Sequence, residues 1–438
     1  MRAAGGLTPN TSGRLAPQAR EHESALRILR ALMRGYPGSL TVRLWNGAQH
    51  TLGAPSTFTL VLRHPGALRA LVLRPSPVQL ADAYFNGLLD FEGDLFEAAV
   101  LKTHFERLTL NWRDKLDLLR HALRLPPLRG PRIGDDTKRF NHRHSRDSDR
   151  DAISHHYDVS NEFYRLWLDE QMVYSCAYFR HPSESLDQAQ CNKLEHICRK
   201  LRLSPGERLL DIGCGWGALV CWAARHHGVM AHGITLSEEQ LAFARDRVRR
   251  ERLEGQVTVE LRDYRDLPKD GRFDKVSSIG MFEHVGLRNQ STYLHCAMDA
   301  LRPGGLFLNH GITHDEEGWN PRAVASEFIN RYVFPDGELD RVSNIQLAME
   351  RIGFEIIDVE GLRPHYALTL RHWVKRLEAN REEAVAQAGD SAYRVWRLYM
   401  AACALEFESG GTGVYQILAS RPDGGTWPAP LTREDIYC

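Results

Sequence analysis

"LLDIGCGWG" occupies residues 209–217 and reads as a short apolar strand running into a loop with glycine at every second position, Gly213, Gly215 and Gly217. A strand of near-continuous apolar residues is one buried on both faces, as in a parallel sheet covered by helices. Glycines at its end let the backbone turn tightly and approach a ligand with no Cβ in the way. A dinucleotide site calls for GxGxxG and an acid about twenty residues further on. Here the spacing is GxGxG, and the next strand candidate ends in "GITLS", with Thr235 where a ribose-binding acid would stand.

Outward from this loop, strand candidates alternate with helix candidates: "RLLDIG", "VMAHGITL", "VTVEL", "FDKVSSIG", "GLFLNHGI", "FEIIDVEG" and "VYQILAS". That alternation, over more than two hundred residues, predicts a doubly wound, seven-stranded α/β sheet. "RDYRDLP" follows the third strand and offers Asp263, whose carboxylate can accept from an adenine amine, and Tyr264, whose ring can cover its face. "LRPGGLF" supplies a tight turn into the fifth strand. Together these features resemble a class I, Rossmann-like S-adenosylmethionine methyltransferase domain, expected over residues 151–438.

The 438 residues, 43% hydrophobic and 26% charged, suffice for a large core and more than one domain. Lysine plus arginine and aspartate plus glutamate both total 56, so no bulk attraction to nucleic acid is implied. The eight cysteines show no CxxC pair and no metal-ligand spacing, which fits a reduced cytoplasm and predicts no metal site. No run of about eighteen apolar residues occurs, and the first twenty residues lack the core of a signal peptide. The expectation is a cytoplasmic protein, at most peripheral to a membrane.

Residues 1–20 read as a flexible tail rich in Gly, Pro, Ser and Arg. Residues 21–110 read as a small α+β domain. It opens with a helix carrying Leu26, Leu29 and Met33 on one face, followed by two strands about the Asn46-Gly47 turn. "TFTLVLR" and "LRALVLRP" read as further strands, and "VQLADAYFNGLLDFEGDL" as a helix giving way to a turn. Residues 111–150 read as a linker that begins with a basic amphipathic helix. Trp112, Leu116, Leu119 and Leu123 share helical spacing there, with Arg113, Lys115, Arg120 and Arg124 around them. Such a helix either lies on an anionic membrane surface or docks by its apolar side on a neighbouring domain.

Loops at the carboxyl edge of such a sheet share one crevice. Cys176 before the first strand, Glu283 after the fourth, His310 after the fifth and Tyr366 after the sixth can therefore converge. A lone Cys, His or Tyr at such a place is commonly a satisfied structural group. Glu283, in "MFEHVG", is different, because a carboxylate at the buried end of a strand has few inert roles.

"YDVSNEFYRLWLDEQMVYSCAYF", "LDIGCGWG", "GITLSEEQ", "MFEHVG" and "RPHYALTLRHW" resemble the signature stretches of the cyclopropane-fatty-acyl-phospholipid synthase family. The amino-terminal unit is similar to the lipid-binding domain of its longer members. The resemblance implies methyl transfer from S-adenosylmethionine to the double bond of an unsaturated phospholipid acyl chain at the membrane surface, at its inner face. Ring closure then follows by proton loss, and a homodimer is suggested. It implies a bound bicarbonate held by Cys176, Glu283, His310, the backbone of Ile312, and Tyr366. It places cofactor contacts at Tyr174, Ser175, Gly213, Gly215, Thr235, Leu236, Gln240, Asp263 and Tyr264. Cys403, in "YMAACALEF", matches a position the family pattern marks as active-site, although the chemistry needs no covalent nucleophile and a helical setting suits a structural thiol.

The chain departs from the family pattern at Phe407-Glu408, where members commonly read "FR", and at "HGI" after Asn309, where "HTI" is commoner. Two alternatives stay open on sequence. One is a related methyltransferase giving a methyl-branched or methylene product or methylating a small molecule; the other is a non-catalytic lipid-binding protein.

Overall fold

The computed structural model describes residues 17–53, 56–74, 77–98, 100–128, 160–315 and 337–437. The chain forms two compact units, residues 1–135 and 136–438.

The first unit holds a four-stranded sheet, β1 (Leu40–Arg43), β2 (Gln49–Leu52), β3 (Phe58–Leu62) and β4 (Leu89–Gly93), in the order β2-β1-β3-β4. The Asn-Gly hairpin forms as its turn chemistry requires, with Leu40 opposite Leu52. The helix Pro17–Leu32 buries Ala25, Ile28 and Leu29. Two readings are corrected here. "LRALVLRP" belongs to a helix, Pro65–Leu73, because Pro65 presets its first turn and the His64 side chain accepts from the Gly66 N–H. "LDFEG" is a strand, although it lacks strand alternation, because β4 pairs antiparallel with β3 along the edge of the sheet.

The helix Trp112–Leu123 is capped by Asn111, whose side chain accepts from the amides of Arg113 and Asp114. It packs on the helices Pro17–Leu32 and Pro65–Leu73. Its docking face consists of Leu118, His121 and Ala122, not the stripe singled out from the sequence. Trp112, Leu116, Leu119 and Leu123 are 69%, 53%, 41% and 56% exposed. Residues 17–20, read from the sequence as the end of a flexible tail, instead form the first turn of the helix Pro17–Leu32, while residues 1–16 of that tail and most of the linker, residues 129–159, lie outside the described residues.

In the second unit the seven strands are β5 (Arg208–Ile212), β6 (Met230–Thr235), β7 (Val257–Leu261), β8 (Phe273–Ile279), β9 (Leu301–His314), β10 (Glu355–Gly361) and β11 (Thr412–Ser420). They lie in the order β7-β6-β5-β8-β9-β11-β10, with β11 antiparallel to both neighbours and the strands from β7 to β9 parallel. One apolar core covers one face, built from the helices Leu186–Lys200, Ala218–His227 and Glu238–Arg250. A second covers the other, built from Gln290–Ala300 and Val342–Ile352. The order reverses direction at β5, so the crevice beyond its carboxyl end is where a ligand site is expected.

Candidate active site

The loop after β5 turns as its glycines permit. Gly215 has φ +54° with open space where a Cβ would point, and a Cβ on Gly217 would sit 3.0 Å from that of Ala244. The first position therefore leaves room for a ligand, and the second lets two helices approach. Tyr174, Ser175, Gly213 and Gly215 line the resulting cavity, together with Thr235, Leu236, Gln240 and Tyr264. Thr235 stands where an acid would bind a ribose in a dinucleotide site; its hydroxyl donates to Gln240 Oε1 at 2.9 Å. Ser237 caps the following helix by accepting from the Gln240 amide, which fixes Gln240 at the cavity edge.

Asp263 does not line this cavity. Its carboxylate is tied to its own turn, accepting from the Arg265 amide at 2.9 Å and from the Arg265 guanidinium at 2.8 and 2.7 Å. The cavity also includes residues that the sequence did not single out, Lys193, Trp216, Met281 and His284. Lys193 is buried and donates to Ser175 Oγ at 2.9 Å, and loss of hydration pulls its ammonium down to about 8. Its position inside "QCNKLEH" carries no motif, so only the helix packing reveals it.

Glu283 lies on the short helix Phe282–Val285, between the cavity-lining Met281 and His284. Its Oε1 accepts from the Ile312 amide at 2.7 Å, while Oε2 is buried with no hydrogen-bond partner among the described residues. Burial pushes its acid up to about 7, only partly opposed by the Ile312 amide. The Ile312 N–H is thus spent on Glu283.

His310 is buried on β9, two residues before Ile312, and desolvation, aided by Lys193 and Lys200, drives its imidazole down to about 3. It is a neutral ring. Gln416 stands opposite it on β11, with its amide nitrogen 3.2 Å from His310 Nδ1. With that amide nitrogen donating, Nδ1 accepts and the ring proton sits on Nε2, an arrangement in which Gln416 Oε1 has no partner among the described residues.

Backbone contacts draw the remaining residues in. Ile312 pairs with Val414 across β9 and β11, and the Val414 carbonyl accepts from the Leu362 amide at 2.8 Å. The Leu362 carbonyl accepts from both the Cys176 thiol, at 3.8 Å, and the Tyr366 amide, at 3.1 Å. Cys176 is fully buried, and desolvation raises its thiol far above the ordinary range, so it is a neutral donor. The Tyr366 ring lies 4.7 Å from that of Phe407 and 6.0 Å from that of Trp373.

Cys403 lies on the helix Arg381–Ser409, one turn before Phe407. Burial lifts its thiol to about 12 and it bonds to Tyr399, which leaves no thiolate at neutral pH. Glu408 in place of the family's arginine pairs with the Arg371 guanidinium, its Oε2 2.9 Å from Nη2, and so ties this helix to the one bearing Tyr366.

A twisted sheet of this order, with a glycine-rich loop and a ligand cavity at its topological switch point, defines a class I methyltransferase. The model of the mycolic acid cyclopropane synthetase family matches residues 144–417, and the chain belongs to that family of S-adenosylmethionine-dependent methyltransferases. It is 45% identical over 400 residues to a "Probable fatty acid methyltransferase" of Pseudomonas putida, spanning 91% of this chain and 96% of that one. To the cyclopropane-fatty-acyl-phospholipid synthase of Escherichia coli K12 it is 39% identical over 267 residues, 61% of this chain and 66% of that one. Among solved structures, mycolic acid cyclopropane synthase CmaA1 complexed with SAH and CTAB superposes with a TM-score of 0.58 at 33% identity, covering 62% of this chain and 98% of that one.

Proposed function

We propose that the protein transfers the methyl of S-adenosylmethionine to the double bond of an unsaturated phospholipid acyl chain and closes a cyclopropane ring. The observation that carries this reading is Glu283, a buried carboxylate with one oxygen unpartnered among the described residues, held between two residues of the cofactor cavity.

An isolated alkene is a poor nucleophile, and no base can activate it beforehand. Rate must come from holding it in line with the methyl in a dry pocket. Aromatic rings supply such walls: Tyr174, which lines the cofactor cavity, lies 5.3 Å from Trp373, 5.4 Å from Trp167 and 6.1 Å from Trp396. Their faces also stabilise positive charge. The alkene's π pair forms the new C–CH₃ bond as the C–S bond breaks, leaving a carbon centre short of two electrons. Removing a proton from the new methyl returns the pair that closes the ring.

The donors present fit a small oxyanion that carries a hydroxyl. Tyr366 and the His310 tautomer, through Nε2–H, are the neutral donors this reading uses; the Cys176 thiol joins them by turning from the Ala177 and Leu362 carbonyls, and Glu283 Oε2, unpartnered among the described residues, accepts. When bound, bicarbonate supplies the base that takes the proton. Glu283, poised near neutrality, would orient it and receive the proton.

The exposed stripe of the helix Trp112–Leu123, flanked by Arg113, Lys115, Arg120 and Arg124, supports contact with an anionic membrane surface. No helix among the described residues is long and apolar enough to cross a membrane.

The test is incubation of the purified chain with S-adenosylmethionine and vesicles of monounsaturated phosphatidylglycerol. A gain of one CH₂ in mass with loss of the olefinic proton signals supports the reading. A mass gain with a methyl-branched chain supports instead methyl transfer without ring closure, and no lipid product overturns both.

A further inference from the structure

A second cavity, of about 400 Å³, adjoins the cofactor cavity and shares Met172 with it. Its wall is unusually rich in arginine. Arg165, Arg247 and Arg250 set their guanidinium carbons 5.2, 5.5 and 5.9 Å from the centre of one half-buried ring, Phe243.

Three like charges around one ring repel each other, so their counter-charges matter. Arg250 has one, Asp246 at 2.8 Å. Arg376, across the cavity, pairs with Asp187. Arg165 has no hydrogen bond or ion pair among the described residues. Arg247 is 4% exposed, and its Nη1 is buried without a hydrogen-bond partner. Its nearest carboxylate, Glu251, stands 3.7 Å from Nε and is shared with Arg225 at 2.7 Å. Asp169 and Glu170 also line the cavity; the two Asp169 oxygens accept from the amides of Gln171 and Val173, both at 2.8 Å, and Glu170 is exposed and makes no ion pair with these arginines among the described residues.

A buried guanidinium with an orphaned N–H is costly, and the cost falls when an acceptor with several oxygens enters. Arginine's planar fork matches phosphate oxygens in pairs, and the Phe243 ring holds the forks in place from behind. We propose that this cavity binds a phosphate group, gripped by Arg165, Arg247 and Arg250 around Phe243. The group comes either from a free phosphate or from a lipid headgroup. The inference stands on the arginines alone and does not depend on the acyl chemistry proposed above.

The experiment is isothermal titration of the full chain with inorganic phosphate, and separately with dihexanoyl phosphatidylglycerol below its micelle concentration. It is repeated on Arg165→Gln and Arg247→Gln, with S-adenosylhomocysteine titrated in parallel to report an intact fold. The expected result is saturable binding of at least one probe that weakens about tenfold in Arg165→Gln while S-adenosylhomocysteine binds as before. Binding of phosphate alone assigns a free anion, and tighter binding of the lipid assigns a headgroup. No saturable binding of either probe, or equal binding by wild type and Arg165→Gln, overturns the site. Because Arg165 is exposed, its variant keeps the test meaningful even if Arg247→Gln fails to fold.

Discussion

Glu283 Oε1 accepts from the Ile312 amide at 2.7 Å, while its other oxygen is buried with nothing to accept from among the described residues. One oxygen anchors the side chain and the other is left for chemistry. With its acid pushed up to about 7 by burial, the group is half ionised near neutral pH. Turnover should therefore fall as pH drops through about 7, where the carboxylate takes up its proton and can no longer receive one. A kcat/KM profile with an acid limb in that region, flattened and much lowered in Glu283→Gln, is the expected outcome; an unchanged limb in the variant would assign it to another group.

The same shift has a sign for stability. A carboxyl whose folded value lies above its unfolded one favours the folded state only while protonated. Its contribution is complete below about 4.5 and lost as pH rises through about 7. Glu283→Gln keeps the acceptor for Ile312 without the buried charge. The variant should gain stability over wild type above pH 7, by up to roughly 3 kcal/mol, and lose that advantage near pH 4. Paired thermal melts across pH check this.

Gln416 fixes the tautomer of His310. Gln416→Leu leaves Nδ1 buried without a partner and frees the ring proton to sit on either nitrogen. We expect kcat to drop about tenfold or more with S-adenosylhomocysteine affinity unchanged, measured by steady-state kinetics and calorimetry. An equal loss of both would make Gln416 a general structural residue.

Gly311 is where the chain reads "HGI". A Cβ there would lie 3.4 Å from the Phe282 Cβ and 4.0 Å from Glu283 Oε1, which are ordinary contacts. Gly311→Ala should leave activity intact and raise stability by about 0.5 kcal/mol, through a stiffer unfolded chain. A large activity loss would show that the space beside Glu283 is used.

The exposed stripe on Trp112–Leu123 makes a separate prediction. Leu116→Glu with Leu119→Glu removes apolar area from a surface already facing solvent, so melting should not change. Sedimentation with phosphatidylglycerol vesicles should fall several-fold, given about 25 cal/mol per Å² of buried apolar surface. Unchanged sedimentation would assign membrane contact elsewhere.

The catalytic sheet was legible because its strands are near-continuous apolar runs punctuated by glycine, a pattern that buried parallel strands share. Thr235 and Gln240 were legible from motif, but their coupling through one hydrogen bond was not. "LRALVLRP" was misread because a short apolar run does not declare its period, and the deciding signals, Pro65 and the His64 cap, lie just before it. The stripe of Trp112 was visible, but the same helix has a second apolar face in Leu118 and Ala122, and periodicity alone does not say which of two faces is buried. Asp263 follows the third strand as expected, and the hold of the neighbouring Arg265 on its carboxylate was not legible from the motif. Gln416 was hidden because it acts across the fold on His310, far away in the chain, and Lys193 because only the packing of its helix turns it toward Ser175.

The most direct test of the account is mass spectrometry of monounsaturated phospholipid treated with the purified chain and S-adenosylmethionine carrying a CD₃ group. Ring closure by proton removal predicts a product that retains two deuteriums, with its formation strongly reduced in Glu283→Gln. A product retaining all three deuteriums would contradict it, because the new methyl would then never have given up the proton that Glu283 is positioned to help remove.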